Sequence, residues 1–238
     1  MSPPVFRRRI LASYAPLRAK AYPAVIVYFV QREPSKTSFR NYLKEKQNER
    51  SMIIKMSRVC VFFAEGFEEI EALTVVDILR RGGIDVDMVS VTDTKSVTGS
   101  HKITVEMDKR FDEVDFEKTE MLVLPGGMPG TKGLEATEPL MKQVDAFYEK
   151  GKYIAAICAA PSIFGHRGIL KGRKACSYPS FESHLEGAEV SREPVTVSDN
   201  VITSRGMGTA IPFGLKLLEL FSGKEAALEM KETIVFGS

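Results

Sequence analysis

The sequence has few of the residues that form covalent or metal cross-links, with three cysteines and three histidines among its 238 residues. A small, odd number of cysteines excludes a disulfide framework and favours a reducing compartment, so we expect a cytoplasmic protein. Neither residue type shows the spacing of metal ligands, and the sequence therefore predicts no metal site. The six residues are His101, His166, His184, Cys60, Cys158 and Cys176.

The sequence also lacks a long apolar run and a basic globular part. The run at residues 22–30 is shorter than the roughly 20 apolar residues that a membrane-spanning helix needs. Residues 1–56 contain 12 Lys and Arg against 3 Asp and Glu, whereas the rest of the chain contains 21 against 28. We therefore expect neither a membrane nor a nucleic acid as a partner, because nucleic-acid binding needs a basic surface.

The charge division marks two parts of the chain. Residues 1–56 are predicted to be a basic extension that is poorly ordered or lies upstream of the true start, which would be Met56. Arg-rich, acid-poor sequence is also typical of organellar transit peptides, an alternative that we do not favour. Residues 57–238 are predicted to form one domain.

Apolar segments with the period of strands alternate with amphipathic helical segments from Ser57 onward. This alternation predicts an α/β fold in which a mostly parallel sheet is covered on both faces. The predicted strands are 58–64, 84–91, 119–124, 153–157, 173–177, 195–197 and 200–204, with a surface ribbon over 97–107. The predicted helices are 67–81, 138–150, 161–170, 209–221 and 223–230.

Cys158 stands at the corner between a predicted buried strand and a helix that begins at Pro161. Proline suits the first turn of a helix, and a sharp strand-to-helix turn can hold a nucleophile above the edge of a sheet. We expect the N–H groups of the following turn to lower the pKa of this thiol. The structural alternative is a small buried core residue, which is the commoner role of a lone cysteine.

Glu71 follows the first predicted strand and lies in the first turns of the first helix. It could point over the sheet edge toward Cys158, where burial and a neighbouring thiolate would raise its pKa. Such a carboxyl is a candidate general acid and base. The alternative is a surface acid that complements the helix dipole, which is how we interpret Glu68 and Glu69.

Two glycines and an alanine could supply backbone donors. The segment Pro125-Gly126-Gly127 ends a buried strand, and the N–H groups of Gly127 and Ala159 could form an oxyanion hole. A simple turn is the alternative for this segment.

Two further residues could line the pocket. Arg205 could bind a carboxylate, and Tyr178 stands in a loop near the expected site, although an exposed Arg and an ordinary loop aromatic are common. His166 is expected to be too far from the sulfur to activate it, and His101 and His184 are expected to be solvated.

Four separated segments together resemble the ThiJ/PfpI superfamily and, within it, the DJ-1 branch. They are 64–77 (AEGFEEIEALTVVD), 124–127 (LPGG), 155–161 (AAICAAP) and 203–209 (TSRGMGT), in the family's order. The resemblance covers about residues 57–238 and leaves residues 1–56 without a counterpart.

The resemblance implies a flavodoxin-like three-layer sandwich, similar to class I glutamine amidotransferases, and a homodimer. It also implies that Cys158 is the nucleophile, that Glu71 bonds its sulfur, and that Gly127 and Ala159 are oxyanion donors. The implied activity is cofactor-free conversion of small 2-oxoaldehydes to hydroxy acids, as by a glyoxalase III, with a possible deglycase activity and a role in carbonyl and oxidative stress.

Two departures from the family bear on activity. The peptidase branch carries Cys-His-Gly where this chain has Cys158-Ala159-Ala160, which argues against a peptidase. Tyr178 stands where related proteins carry a histidine, and a phenol with a pKa of about 10 is a poor base. A redox sensor or chaperone with little turnover is therefore the main alternative to an enzyme, and a peptidase is a lesser one.

Overall fold

A computed structural model describes residues 58–237. The expected extension, residues 1–56, lies outside the described residues. Within the described part, no helix combines the length and the apolar character that crossing a membrane requires.

Six segments build most of the central sheet, and each coincides with a predicted strand to within about two residues. Their bounds are β1 (Arg58–Phe63), β2 (Asp85–Ser90), β6 (Thr119–Leu124), β7 (Tyr153–Ile157), β10 (Val195–Ser198) and β11 (Val201–Ser204). The predicted ribbon is the antiparallel pair β3 (Ser96–Thr98) and β4 (Thr104–Glu106), and β5 is Lys109–Arg110. The pair β8 (Lys174–Ala175) and β9 (Glu189–Val190) forms a separate small sheet.

The central sheet of the described region has seven strands in the order β10-β11-β7-β6-β1-β2-β5. Every neighbouring pair is parallel except β10 and β11, which form a hairpin. The order β2-β1-β6-β7-β11 is the flavodoxin-like 2-1-3-4-5 arrangement, in which ligands bind beyond the carboxyl ends of the strands. The predicted α/β class is confirmed.

Helices cover both faces of this sheet. They are α1 (Glu69–Arg81), α2 (Gly130–Ala136), α3 (Glu138–Glu149), α4 (Pro161–His166), α5 (Ala210–Ser222) and α6 (Lys224–Thr233). Alternate strand residues point to opposite faces, so the sheet contributes to two cores. One core packs α1, α5 and α6 against side chains such as Val61 and Ala155, and the other packs α2, α3 and α4 against neighbours such as Phe62 and Ile154.

The strand predicted over 173–177 forms only as β8, outside the central sheet, and two helices also depart from the predicted elements. The helix after Cys158 ends at His166 rather than near Leu170, because Gly168 takes a left-handed φ of 70° that ends the helical turn. The helix α2 was not predicted, since it contains two glycines. Gly130 is required there because a side chain at this position would collide with the backbone of Gly66 and Phe67.

Candidate active site

Cys158 occupies a strained corner at the carboxyl end of β7. Its φ is +65°, a left-handed conformation that residues other than glycine seldom adopt. The backbone is held on both sides, because the Cys158 N–H donates to the Ser204 carbonyl at 3.0 Å and its carbonyl accepts from the Tyr178 N–H at 2.8 Å. The residue is partly exposed. The corner therefore places the thiol at the sheet edge, half-buried at the margin of one core.

The Glu71 carboxyl lies beside this sulfur and forms a hydrogen bond with it. Glu71 is in the first turn of α1 and is only 1% exposed. Its carboxyl also accepts the N–H of Gly126 at 3.0 Å and the N–H of Met207. Burial is the main cause that raises the pKa of Glu71 to about 7, and the charge of Glu68 acts in the same direction. This group can thus exchange a proton near neutral pH.

The expected lowering of the Cys158 pKa is wrong. Burial, followed by the negative charge of Glu71, raises the pKa of the thiol, and the N–H groups of Ala159 and Gly127 oppose this only in part. Above pH 7 the pair therefore holds one proton between the carboxyl and the sulfur. When that proton sits on Glu71 the sulfur is a thiolate, with the same total charge on the pair.

Gly126 and Gly127 reach the site because they lack side chains. A Cβ on Gly126 would lie 2.6 Å from both the Cβ of Cys158 and Oε2 of Glu71. Gly127 has a φ of +96°, and a Cβ there would collide with the Glu68 amide nitrogen. The two N–H groups serve different atoms, since Gly126 donates to Glu71 and Gly127 faces the sulfur.

Gly206 marks the point where the site residues meet. A Cβ placed on it would be 3.9 Å from the Cys158 sulfur, 3.8 Å from Oε1 of Glu71 and 3.4 Å from the Tyr178 ring. Tyr178 is 49% exposed, so its ring forms an outer wall of the pocket. The guanidinium of Arg205 lies 3.8 Å from the carboxylate of Glu182.

Sequence reasoning missed part of the surroundings of Glu71. Glu68 is the N-cap of α1 and accepts the Glu71 N–H at 2.7 Å, a role that its position three residues before Glu71 could have indicated. Glu69, expected on the surface, is 4% exposed and accepts the N–H of His101 at 2.7 Å and bonds its Nδ1 at 2.8 Å. No sequence signal identifies Met207, because it contributes only a backbone N–H.

A family model described as "DJ-1/PfpI family" matches residues 57–220. The chain belongs to the DJ-1/PfpI family. Among curated relatives, "Protein DJ-1 homolog B" of Arabidopsis thaliana is 34% identical over 85% of this chain and 47% of the relative. "Glutathione-independent glyoxalase DJ-1" of Schizosaccharomyces pombe is 35% identical over 71% of this chain and 94% of the relative.

The family membership agrees with solved structures. The structure titled "Toxoplasma gondii DJ-1, oxidized" superposes with a TM-score of 0.73 at 36% identity, covering 76% of this chain and 99% of that chain. The chain spans about half the length of the two Arabidopsis relatives that it matches and most of the length of the shorter family members. The flavodoxin-like fold implied by the sequence motifs is thereby confirmed.

Proposed function

We propose that this protein is a cofactor-free enzyme that converts small 2-oxoaldehydes, such as methylglyoxal, to 2-hydroxy acids. The observation that carries the proposal is the hydrogen-bonded pair of Cys158 and Glu71, with the Gly127 and Ala159 N–H groups directed at the sulfur. Relatives named as glutathione-independent glyoxalases and as a deglycase support it. The same site could act on the related adducts of a deglycase reaction.

The reaction begins with addition of the Cys158 thiolate to the aldehyde carbon. The carbonyl oxygen becomes an oxyanion that the N–H groups of Gly127 and Ala159 can stabilise, and it takes the proton that Glu71 carries. The product is a hemithioacetal, and Glu71 is left as a carboxylate. No electron leaves the substrate in this step.

Glu71 then moves a proton between the two substrate carbons. As a carboxylate it removes the proton of the former aldehyde carbon to give an enediolate. The hydroxyl proton of that carbon passes to the neighbouring oxygen, and Glu71 returns its proton to the neighbouring carbon. The first carbon is thereby oxidised to a thioester and the second reduced to an alcohol. Water then hydrolyses the thioester, which releases the hydroxy acid and returns one proton to the Cys158–Glu71 pair. The net reaction is therefore aldehyde plus water giving the hydroxy acid.

Lactate formation from methylglyoxal without glutathione tests the proposal. We expect turnover by the wild type and loss of at least about 10³-fold in Cys158→Ser, because the whole sequence depends on the covalent step. Glu71→Gln should keep the fold but lose a similar factor, since it cannot accept the proton. Undiminished lactate production by Cys158→Ser would refute the mechanism.

Two alternatives have specific readouts. A redox sensor is supported by a partly exposed thiol next to a carboxyl, and it predicts selective oxidation of Cys158 by mild peroxide with negligible aldehyde turnover. A peptidase receives less support, because the three histidines have hydrogen-bond partners away from the sulfur. Mass spectrometry after peroxide and a casein assay distinguish these functions.

We also propose a homodimer in a reducing compartment such as the cytoplasm. Ile70 and Ile103 are 50% and 54% exposed, and with Leu73, Ile211 and Ile234 they line one apolar groove that a second copy of the chain could cover. Three free cysteines support the compartment. In sedimentation experiments, Ile70→Glu should give a monomer, whereas Leu228→Glu, at an exposed position on α6, should leave the dimer intact.

A further inference from the structure

A chain of polar side chains joins three elements on the face of the sheet covered by α2, α3 and α4. His166 ends α4, and its Nδ1 lies 2.6 Å from Oε1 of Glu135 on α2. Its other nitrogen, Nε2, lies 3.2 Å from Nδ1 of His184, which ends the 3₁₀ helix Pro179–His184. The two histidines are 18 residues apart in sequence, and the fold brings their ring nitrogens face to face.

Close backbone packing holds the two histidines together. Gly165 precedes His166, and a Cβ on this glycine would overlap the carbonyl oxygen of His184. Only glycine therefore lets α4 approach the 3₁₀ helix this closely. The Phe181 ring, 5.6 Å from the His184 ring, supports that imidazole on another side. The backbone packing of the two elements therefore fixes the separation between the two rings.

Glu135 selects the tautomer of His166. A carboxylate accepts hydrogen bonds, so Nδ1 of His166 carries the hydrogen and Nε2 offers a lone pair. A carboxylate behind a histidine in this way orients metal-binding imidazoles and raises their basicity. This lone pair accepts a hydrogen bond from the Nδ1–H of His184, and the other tautomer of His184 can present Nδ1 as a second metal ligand.

The distance between the two nitrogens fits a shared metal ion. Two imidazole nitrogens bound to tetrahedral zinc, each at about 2.0–2.1 Å, lie roughly 3.3 Å apart. The observed separation is 3.2 Å, and the rings are 79° apart in orientation. A small rotation of either ring would direct both lone pairs at one point. Both side chains are exposed, so water can reach the remaining coordination positions.

We propose that His166 and His184, oriented by Glu135, form a binding site for a divalent transition-metal ion such as Zn²⁺ or Cu²⁺. Imidazole nitrogen favours these ions over Mg²⁺ and Ca²⁺, which prefer oxygen ligands. The ion would bind Nε2 of His166 and Nδ1 of His184 and complete its shell with water. It would connect α2, α4 and the 3₁₀ helix that follows Tyr178, and it is separate from the Cys158 chemistry.

Zinc binding to the full chain carrying Cys158→Ser tests this site without interference from the reactive thiol. No histidine or cysteine precedes Arg58, and Cys60 and Cys176 are buried, so the main competing cluster among the described residues is Glu68, Glu69 and His101. Calorimetry should detect one Zn²⁺ per chain, and binding should weaken as pH falls because protons compete for the imidazoles. Adding His184→Asn or His166→Asn should weaken binding by at least about tenfold, and Glu135→Gln by about 10–100-fold.

His101→Asn is the matched control, because His101 bonds Glu69 in another part of the molecule. It should bind Zn²⁺ as tightly as its parent. Thermal melts without metal check that every variant is folded, and added Zn²⁺ should raise the melting temperature of the parent but not of His184→Asn. Zinc binding that persists in the double variant His166→Asn/His184→Asn, that is lost in His101→Asn, or that is missing from the parent would overturn the proposal.

Discussion

A carboxyl that is buried beside a thiol should make both activity and stability depend on pH. The pKa of Glu71 is raised to about 7, far above that of an exposed carboxyl, because burial disfavours its charged form. The folded protein therefore holds a proton that the unfolded chain has already released between about pH 4.5 and 7. Since the native state binds more protons there, its stability falls as pH rises through this window.

Glu71→Gln should remove this loss of stability, because the amide resembles the protonated carboxyl and cannot ionise. We expect the variant and the wild type to be similar near pH 4, and the variant to be more stable at pH 8 by up to about 3 kcal/mol. Urea unfolding at several pH values measures the difference. A wild type whose stability stays level between pH 4.5 and 7 would show that the carboxyl is not protonated in the folded state.

A single methyl group added at Gly126 should lower the activity while the protein still folds. A Cβ there would stand 2.6 Å from atoms of both Cys158 and Glu71, so the catalytic pair must move apart. We expect Gly126→Ala to lower kcat/KM for methylglyoxal by at least about 100-fold, as expected for catalytic groups displaced by about 1 Å. Gly208→Ala is the control, because nothing lies within 4 Å of its Cβ position, and it should retain activity.

At the scale of elements, the site is assembled from the ends of β1, β6, β7 and β11 and the turns that follow them. The first turn of α1 connects two functions, since Glu68 caps the helix through the Glu71 N–H and its charge raises the pKa of Glu71. The capping of α1 and the raised pKa of Glu71 therefore depend on the same side chain.

Two variants of Glu68 should separate these functions. Glu68→Ala removes the capping oxygen and should lower the free energy of unfolding by about 1 kcal/mol, whereas Glu68→Gln keeps an acceptor and should change it less. Both remove the negative charge, so the pKa of Glu71 should fall in both. The acidic limb of the kcat/KM profile should then move to lower pH by a similar amount, and an unmoved limb in Glu68→Gln would contradict the charge effect.

Helices and strands with a strong hydrophobic periodicity were predicted well from the sequence. Those whose formation depends on tertiary contacts were predicted poorly. Buried strands and long amphipathic helices such as α1 were recognisable from periodicity. The two-residue strand β9 and the glycine-containing α2 were not, because packing against other segments stabilises them. Glu71 and Cys158 could be named from motif resemblance, but the Met207 N–H and the His166–His184 contact arise only when the chain folds.

At the scale of the molecule, two cores and one sheet edge are formed by residues from Arg58 onward. We expect a chain that begins at Met56 to fold and to convert methylglyoxal with the same kcat/KM as the full chain, because the family match begins at residue 57. Circular dichroism and the lactate assay measure both properties. A truncated chain that is unfolded, or that loses activity, would give residues 1–55 a structural role.

The Cys158 corner is held by a strand that comes later in the chain, since its N–H bonds the Ser204 carbonyl. A ribosome makes the chain from its N-terminus, so the thiol is made before the strand that fixes its backbone. Incomplete chains that end before Ser204 would carry the cysteine without the geometry that directs its chemistry. Turnover of aldehydes by the proposed mechanism is thus restricted to chains whose synthesis has passed β11.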